Sequence, residues 1–278
     1  MSRSRWITEI EKQAQGKPVL LVEGNIDVDI LTYFLHKISL DWEAWIVLRS
    51  AGFKSRVIEG VRDYYPNDWA GVVDRDEWPP DAVQAELKDI SQVKVLPRFC
   101  LENYFCVPTE LWDALPSIQQ KRISDDVGDF ARPILTQLPD WVAHGAMWRV
   151  IRNRRKGLLH ESGFPAKLDD APVTDLDEIM VILQAWHDQL DPDQIISAYQ
   201  QELSQAKKLS PNQQLKTYIH GKKFFRQVVV PTLNQFYKPT GANTWLQRFS
   251  QPEMARLIVP PDLKEFLAEI LGILKEDQ

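Results

Sequence analysis

Val19-Leu20-Leu21-Val22-Glu23-Gly24-Asn25-Ile26-Asp27 decides the fold: an unbroken apolar run ends abruptly in a carboxylate, a glycine and, three residues on, a second carboxylate. A short continuous apolar run bounded by turn residues reads as a strand buried on both faces, the signature of a parallel sheet. Gly71-Val72-Val73-Asp74-Arg75-Asp76 has the same form. In open parallel sheets ligands bind beyond the carboxyl ends of the strands. Glu23, Asp27, Asp74 and Asp76 are therefore expected at one rim. Like charges gathered that closely repel unless a cation lies between them. All-oxygen donors suit hard divalent ions such as Mg2+ or Mn2+, which commonly bridge carboxylates to substrate phosphates. The two stretches point to metal-dependent phosphoryl transfer.

Outward from this core, residues 17–107 alternate strand and helix. Strands are expected over 18–22, 45–48, 70–73 and 93–96. The first connecting helix, 27–38, carries Ile30, Leu31, Phe34, Leu35 and Ile38 on one face at spacings of three and four. The second, 53–65, turns Phe53, Val57, Val61 and Tyr64 inward. A short third helix opens at Pro79-Pro80 and runs through Asp89. Such alternation is the pattern of βαβ units, so the expected class is α/β, a parallel sheet flanked by helices.

From Pro108 onward the pattern becomes helix and loop, and prolines at 108, 116, 133, 139, 165 and 172 are expected to cut the chain into short pieces. Helices are expected over 141–155 and 176–190. Asp191-Pro192-Asp193-Gln194 starts another, with an Asp N-cap, Pro in the first turn and Gln three residues after the cap, running to about 209. Asp262-Leu263-Lys264-Glu265 reads as a further capping box. Behind it Leu263, Phe266, Leu267, Ile270, Leu271 and Leu274 form one apolar stripe, to be covered by the body of the protein or by a partner, a homodimer included. The expected division is a catalytic domain over 1–107 and a mainly helical region over 108–278 for substrate or partner binding.

With 278 residues, 44% of them hydrophobic, the chain can bury a sizeable core. No apolar stretch approaches the roughly 20 residues that span a bilayer. No apolar segment follows Arg3 and Arg5, so no secretory leader is expected. Cys100 and Cys106 lack zinc-ligand spacing and read as reduced core residues, which suits a cytoplasmic protein. A net charge of −6 argues against a non-specific DNA coat, yet it leaves room for an enzyme on nucleic acid, because metal-binding acids lower the total while basic patches stay local.

Taken singly, the acids have plainer readings: Asp27 as an N-cap, Glu23 as a solvated loop acid, Asp74-x-Asp76 as a turn closed by Asp side chains. Their joint occurrence at two strand ends is what favours a site. The set Val22-Glu23-Gly24-x-x-Asp27 with Asp74-Arg75-Asp76 resembles the TOPRIM domain of topoisomerases, primases and OLD-type nucleases. Leu101-Glu102-Asn103-Tyr104-Phe105 is similar to the Glu-Asn-Tyr motif of stand-alone OLD-related TOPRIM proteins, some of which work beside an ABC-type ATPase in phage defence. The resemblance covers residues 17–107; beyond them only Ile219-His220-Gly221-Lys222-Lys223 matches, and loosely. It implies a TOPRIM-like sheet with Glu23 as general acid or base. It also implies that Glu23, Asp27, Asp74 and Asp76 hold one or two Mg2+ or Mn2+ ions, with Glu102 at or behind the metals.

For substrate, Arg149-Val150-Ile151-Arg152-Asn153-Arg154-Arg155-Lys156 concentrates cations in an acidic chain. Arg152, Arg154 and Arg155 could contact a DNA or RNA backbone, or simply favour a helix end. Lys222 could neutralise a reacting phosphate, or be an ordinary exposed lysine. Three functions stand at this point. One is a metal-dependent nuclease controlled by a separate ATPase subunit, since the chain carries no Gly-x-x-x-x-Gly-Lys-Ser/Thr. The second is a non-catalytic nucleic-acid-binding or sensing subunit. The third is a Mg2+-dependent phosphatase on small esters. The resemblance favours the first.

Overall fold

Aliphatic side chains fill the strand Val19–Val22 (β1), and every one is buried. In the computed structural model, which describes residues 5–64, 69–78, 83, 87–123, 126–160, 176–249 and 258–276, β1 lies between two partners. Val47–Ser50 (β2), Trp69–Val73 (β3) and Val93–Val95 (β4) complete a four-stranded sheet of order β2-β1-β3-β4. All three pairings are parallel, with Leu21 opposite Arg49 on one side and Gly71 on the other. The coarse class read from the sequence is therefore the observed one. It follows from β1 and β3, the central strands, which are too apolar to face water on either side.

The second strand begins at Val47 rather than Trp45, because Trp42–Trp45 closes a short helix (α3) that buries Trp42. Asn25–Ile38 (α2) and Lys54–Tyr64 (α4) are the crossover helices. On α2, Ile30, Leu31, Phe34 and Leu35 are buried as the spacing requires. On α4, Val57 and Val61 are buried but Phe53 is not; it precedes the first helical turn and is 48% exposed. Gly71 lets α4 lie on the sheet, since a Cβ there would come within 2.6 Å of Val57 Cγ1. An unanticipated helix, Arg5–Ala14 (α1), adds Ile7, Ile10 and Ala14 to the same core at helical spacing. The helix expected from Pro79 to Asp89 lies largely outside the described residues.

By its contacts the chain divides into two compact units: Met1–Thr136 with His220–Gln278, and Gln137–Ile219. The division is thus not at residue 107, and the segment from His220 onward belongs with the sheet. In that unit the helix Pro261–Glu276 packs on β3 and α2. Its stripe of Leu263, Phe266, Leu267, Ile270, Leu271 and Leu274 is buried within the chain itself, so it offers no surface for a homodimer. The expected capping role of Asp262 is also replaced: the helix starts at Pro261, and both Asp262 carboxylate oxygens go to Arg98.

Pro133 and Pro139 do not cut the chain. Val127–His160 is one helix through both. A proline inside a helix forfeits one hydrogen bond and crowds the carbonyl four residues back. The buried series Phe130, Ile134, Leu138, Val142, Ala146 and Val150 shows what outweighs that cost, a strict four-residue stripe committed to burial. In the second unit, Leu176–Gln189 and Pro192–Lys207 are helical as expected, and Asp191 caps the latter by accepting from the Gln194 amide at 2.8 Å. Among the described residues no helix is long and apolar enough to cross a membrane.

Candidate active site

Because β1 and β3 are neighbours and parallel, their carboxyl ends emerge side by side, and so do the acids that follow them. Glu23 Oε1 accepts the Asp74 amide at 2.9 Å. Asp27, in the first turn of α2, reaches back so that its Oδ2 accepts the Gly24 amide at 2.8 Å. The cap of α2 is thus Gly24, and Asp27 supplies the returning half of the box while remaining buried at the rim. Asp74 Oδ1 accepts the Leu101 amide at 3.3 Å. Asp76 sits at φ 52°, a left-handed conformation that Asp tolerates better than most residues. Its amide donates to the Phe99 carbonyl at 2.7 Å.

Leu101–Phe105 forms a turn of 3-10 helix with all five residues buried. Asn103 organises it: its Oδ1 accepts from the Cys100 amide at 3.0 Å and lies 3.0 Å from Cys100 Sγ. Both cysteines are free and buried. Glu102 is carried into the site by this turn, and its Oε2 is buried without a hydrogen-bond partner. Arg98 does not pair with Glu102. Buried to 1%, it donates to Glu110, Asp262 and the Asn103 carbonyl, and its guanidinium stacks 4.0 Å from the Tyr104 ring. It thereby ties the turn that bears Glu102 to the helix Pro261–Glu276.

Two lysines answer the acids. Lys222 Nζ lies 2.9 Å from Asp74 Oδ2, with its side chain 42% exposed. Lys54 Nζ, 2.6 Å from both the Asp76 Oδ2 and the Asp74 carbonyl oxygen, stands 4.4 Å over the Trp78 ring. Lys222 was the loosest element of the motif reading, and Lys54 was absent from it. The available signal for Lys54 was its place at the first residue of the helix after β2, which is the same rim. The position of Lys222 depends on Gly221: a Cβ there would fall 2.2 Å from Asn103 Oδ1 and 2.7 Å from Cys100 Sγ. Glycine lets the two segments touch. After Lys222 the helix widens into a π turn over Phe225–Val229, just before Pro231, whose missing N–H leaves a carbonyl unserved in regular α geometry.

The charge balance is incomplete despite the lysines. Burial, and next the Asp74 charge, raise Glu23 to about 7 from an ordinary 4.5. The same two causes raise Asp27 to about 7 from 3.8. Burial also raises Asp74 and Glu102, against the pull of Lys222. For Lys222 burial works against the charge, but Asp74, Glu102 and Asp27 outweigh it and hold its pKa above the usual range. His220, two residues before this lysine, has its ring 5.4 Å from the Phe99 ring at a tilt of 32°, and burial lowers its pKa.

A cavity of about 10 Å3 lies among Glu23, Asp27 and Asp74, close to the smallest space that admits a water-sized sphere. It is flanked by an open pocket of about 470 Å3 to which Glu23, Asp27, Glu102 and Lys222 contribute. Among the described residues, no group of three or more His, Cys, Asp or Glu side chains is placed to hold a metal ion. Arg152, Arg154 and Arg155 belong to the second unit. There Arg154 donates to Gln189 at 3.2 Å and Arg155 is exposed. Arg149 of the same run stacks 4.0 Å from the Tyr218 ring and pairs with Glu202, a structural role.

Fold and site together define an α/β protein whose parallel sheet carries a buried, lysine-bridged acidic rim. No protein-family profile matches the chain, and no curated protein matches it significantly.

Proposed function

We propose that the chain is a metal-dependent phosphodiesterase acting on nucleic acid, a TOPRIM-type nuclease serving as effector of a phage-defence system under a separate ABC-type ATPase subunit. The observation that carries the reading is the convergence of Glu23, Asp27, Asp74 and Glu102 beside Lys222, with Asp76 lining neither cavity and linked to Asp74 through Lys54. Partial neutralisation supports it. Two carboxyls remain raised to about 7, and Glu102 Oε2 is buried without a partner. A buried carboxylate oxygen with nothing to bond is costly, and a cation relieves it.

The donors fit Mg2+ or Mn2+ in kind: all are carboxylate oxygens, and a small cavity lies between three of them. Glu23, Asp27, Asp74 and Asp76 would hold the ion, with Glu102 behind them. Bound, it would polarise the scissile phosphate and offset developing charge. The chain's own groups do the rest. Glu23 Oε1 is fixed by the Asp74 amide, which leaves Oε2 for the ion or, as general base, for a proton. Lys222 neutralises charge on a non-bridging phosphate oxygen. Apolar Ile26 and Leu246 at the pocket wall limit water there.

One observation favours a second reading, a non-catalytic nucleic-acid-binding or sensing subunit. Lys222 and Lys54 already pair with Asp74 and Asp76, and no metal-holding group is assembled among the described residues. The deciding experiment offers plasmid, single-stranded DNA and total tRNA to the purified protein with Mg2+, Mn2+ or EDTA, beside Glu23→Ala and Asp74→Ala. Metal-dependent cleavage lost in both variants supports the nuclease. Absence of both cleavage and Mn2+ binding in well-folded protein leaves the sensing subunit.

A further inference from the structure

We propose that the pocket of about 470 Å3 beside the acids is a seat for one unpaired nucleotide, with the acid wall facing its phosphate and Phe53, Asn25 and Asn243 receiving its base. This rests on the polynucleotide reading above and adds to it the substrate class, a single-stranded or splayed segment of DNA or RNA.

The volume falls within the range of about 300–1,000 Å3 usual for small-molecule sites. A base inside a duplex is stacked on both faces and paired at its edge, so it reaches such a recess only by leaving the helix. The pocket's lining combines two chemistries. Glu23, Asp27, Glu102 and Lys222 are the groups proposed to act on phosphate. Phe53 and Leu246 add apolar surface to the same space.

Phe53 is the unusual member, a phenylalanine 48% exposed at the edge of a pocket. It follows Gly52, whose φ of 100° turns the chain sharply after β2. The Arg56 guanidinium lies 4.6 Å from the ring centroid. The ring is thus steadied without being buried, and base–aromatic stacking needs a ring in that state. Asn25 and Asn243 line the same space. Each amide offers a donor and an acceptor, the complement of a base edge. Arg226, exposed and also at the pocket, is set to meet a neighbouring phosphate on the strand.

The test measures fluorescence anisotropy of short labelled single strands, DNA and RNA, and of a blunt duplex of equal length, on the full chain in Ca2+. The expected result is tighter binding of a DNA or RNA strand than of duplex. Phe53→Ala should weaken strand binding by about 5- to 100-fold, the span that stacking one base on an aromatic ring is worth, and leave duplex binding alone. Asn243→Ala should change which base is preferred among labelled strands that differ in base composition. Equal affinity for strand and duplex, no binding of either strand, or strand binding indifferent to both folded variants overturns the proposal. Phe53-dependent strand binding with neither cleavage nor Mn2+ binding upholds the pocket and removes the nuclease. Duplex cleavage at full rate by Phe53→Ala upholds the nuclease and removes the pocket.

Discussion

Lys222 Nζ stands 2.9 Å from Asp74 Oδ2 across 148 residues of chain. The ammonium is where a cation is required, between a buried aspartate and the further charges of Glu102 and Asp27. A lysine in that place both spares the metal-free fold some repulsion and competes with an incoming ion. On the proposed nuclease reading, Lys222→Met is therefore expected to bind Mn2+ more tightly than the parent while cleaving about a hundredfold more slowly, the usual cost of losing one transition-state donor. Calorimetric Mn2+ titration and initial rates separate the two effects. Weaker Mn2+ binding by the variant would count against the competition.

Glu102→Gln exchanges a buried carboxyl with an unpartnered oxygen for a neutral amide. The metal-free protein should gain stability, whereas Mn2+ affinity should fall by about 10- to 100-fold if Glu102 supports the metal site. Urea midpoints without metal and Mn2+ titrations measure these in opposite directions. A variant less stable than the parent and unchanged toward Mn2+ would make Glu102 purely structural.

The raised carboxyls fix the sign of a pH dependence. The unfolded chain ionises Asp27 and Glu23 near 3.8 and 4.5, while the folded chain keeps both protons to about 7. The folded state therefore binds more protons between those limits, and the stability from these groups is fullest below about pH 4 and lost as pH rises to about 7. In metal-free protein, the urea midpoint of the parent relative to Asp27→Asn should fall across that window. Mn2+ affinity should rise across it, because binding displaces the protons. A flat difference between parent and variant would refute the shift.

Arg98, buried to 1%, makes forked contacts with both Glu110 and Asp262. Arg98→Met should cost about 3 kcal/mol, the lower part of the range for breaking a buried pair, because both carboxylates retain some access to water. Arg98→Lys should recover less than half of that, since an ammonium cannot serve two carboxylates in planar forks. Denaturant unfolding reads both, and full recovery by lysine would show that charge alone matters.

Gly221→Ala should lower stability by about 1–3 kcal/mol through overpacking against Asn103 and Cys100. Because the shift displaces Lys222, cleavage should fall by more than the unfolded fraction explains. Gly145→Ala in the second unit meets the Tyr218 carbonyl at 2.2 Å and should destabilise that unit alone, leaving Mn2+ binding intact. Comparing the two variants by Mn2+ titration at a temperature where both are folded checks the distinction.

What the sequence discloses is local. The strands β1 and β3 were legible because burial on both faces demands unbroken apolar runs, and their acids because a parallel sheet delivers them to one rim. The stripe on Pro261–Glu276 was legible as periodicity, but not its cover, because periodicity does not say which surface a helix meets. Lys54 escaped notice, and Arg98 reads in sequence as a partner for nearby Glu102, for a similar reason. Each is an isolated cation in the sequence, and its carboxylate partners lie 12 to 164 residues away. Phe53 was assigned inward from helical spacing, although the helix begins only at the next residue. Pro133 and Pro139 misled because a buried stripe can outweigh a proline. Glu102 drew its role from a motif resemblance, and Lys222 only loosely so, rather than from any spacing.

The long reach of these pairs also sets a timetable for synthesis. Asp74 leaves the ribosome long before Lys222, and Arg98 waits for Asp262 across 164 residues. Contacts so distant in sequence close late in folding. A nascent chain can carry its sheet and its acids and still lack the counter-cation and the guanidinium's second anchor. A host translating this protein would meet a finished acid rim only once synthesis has passed Asp262.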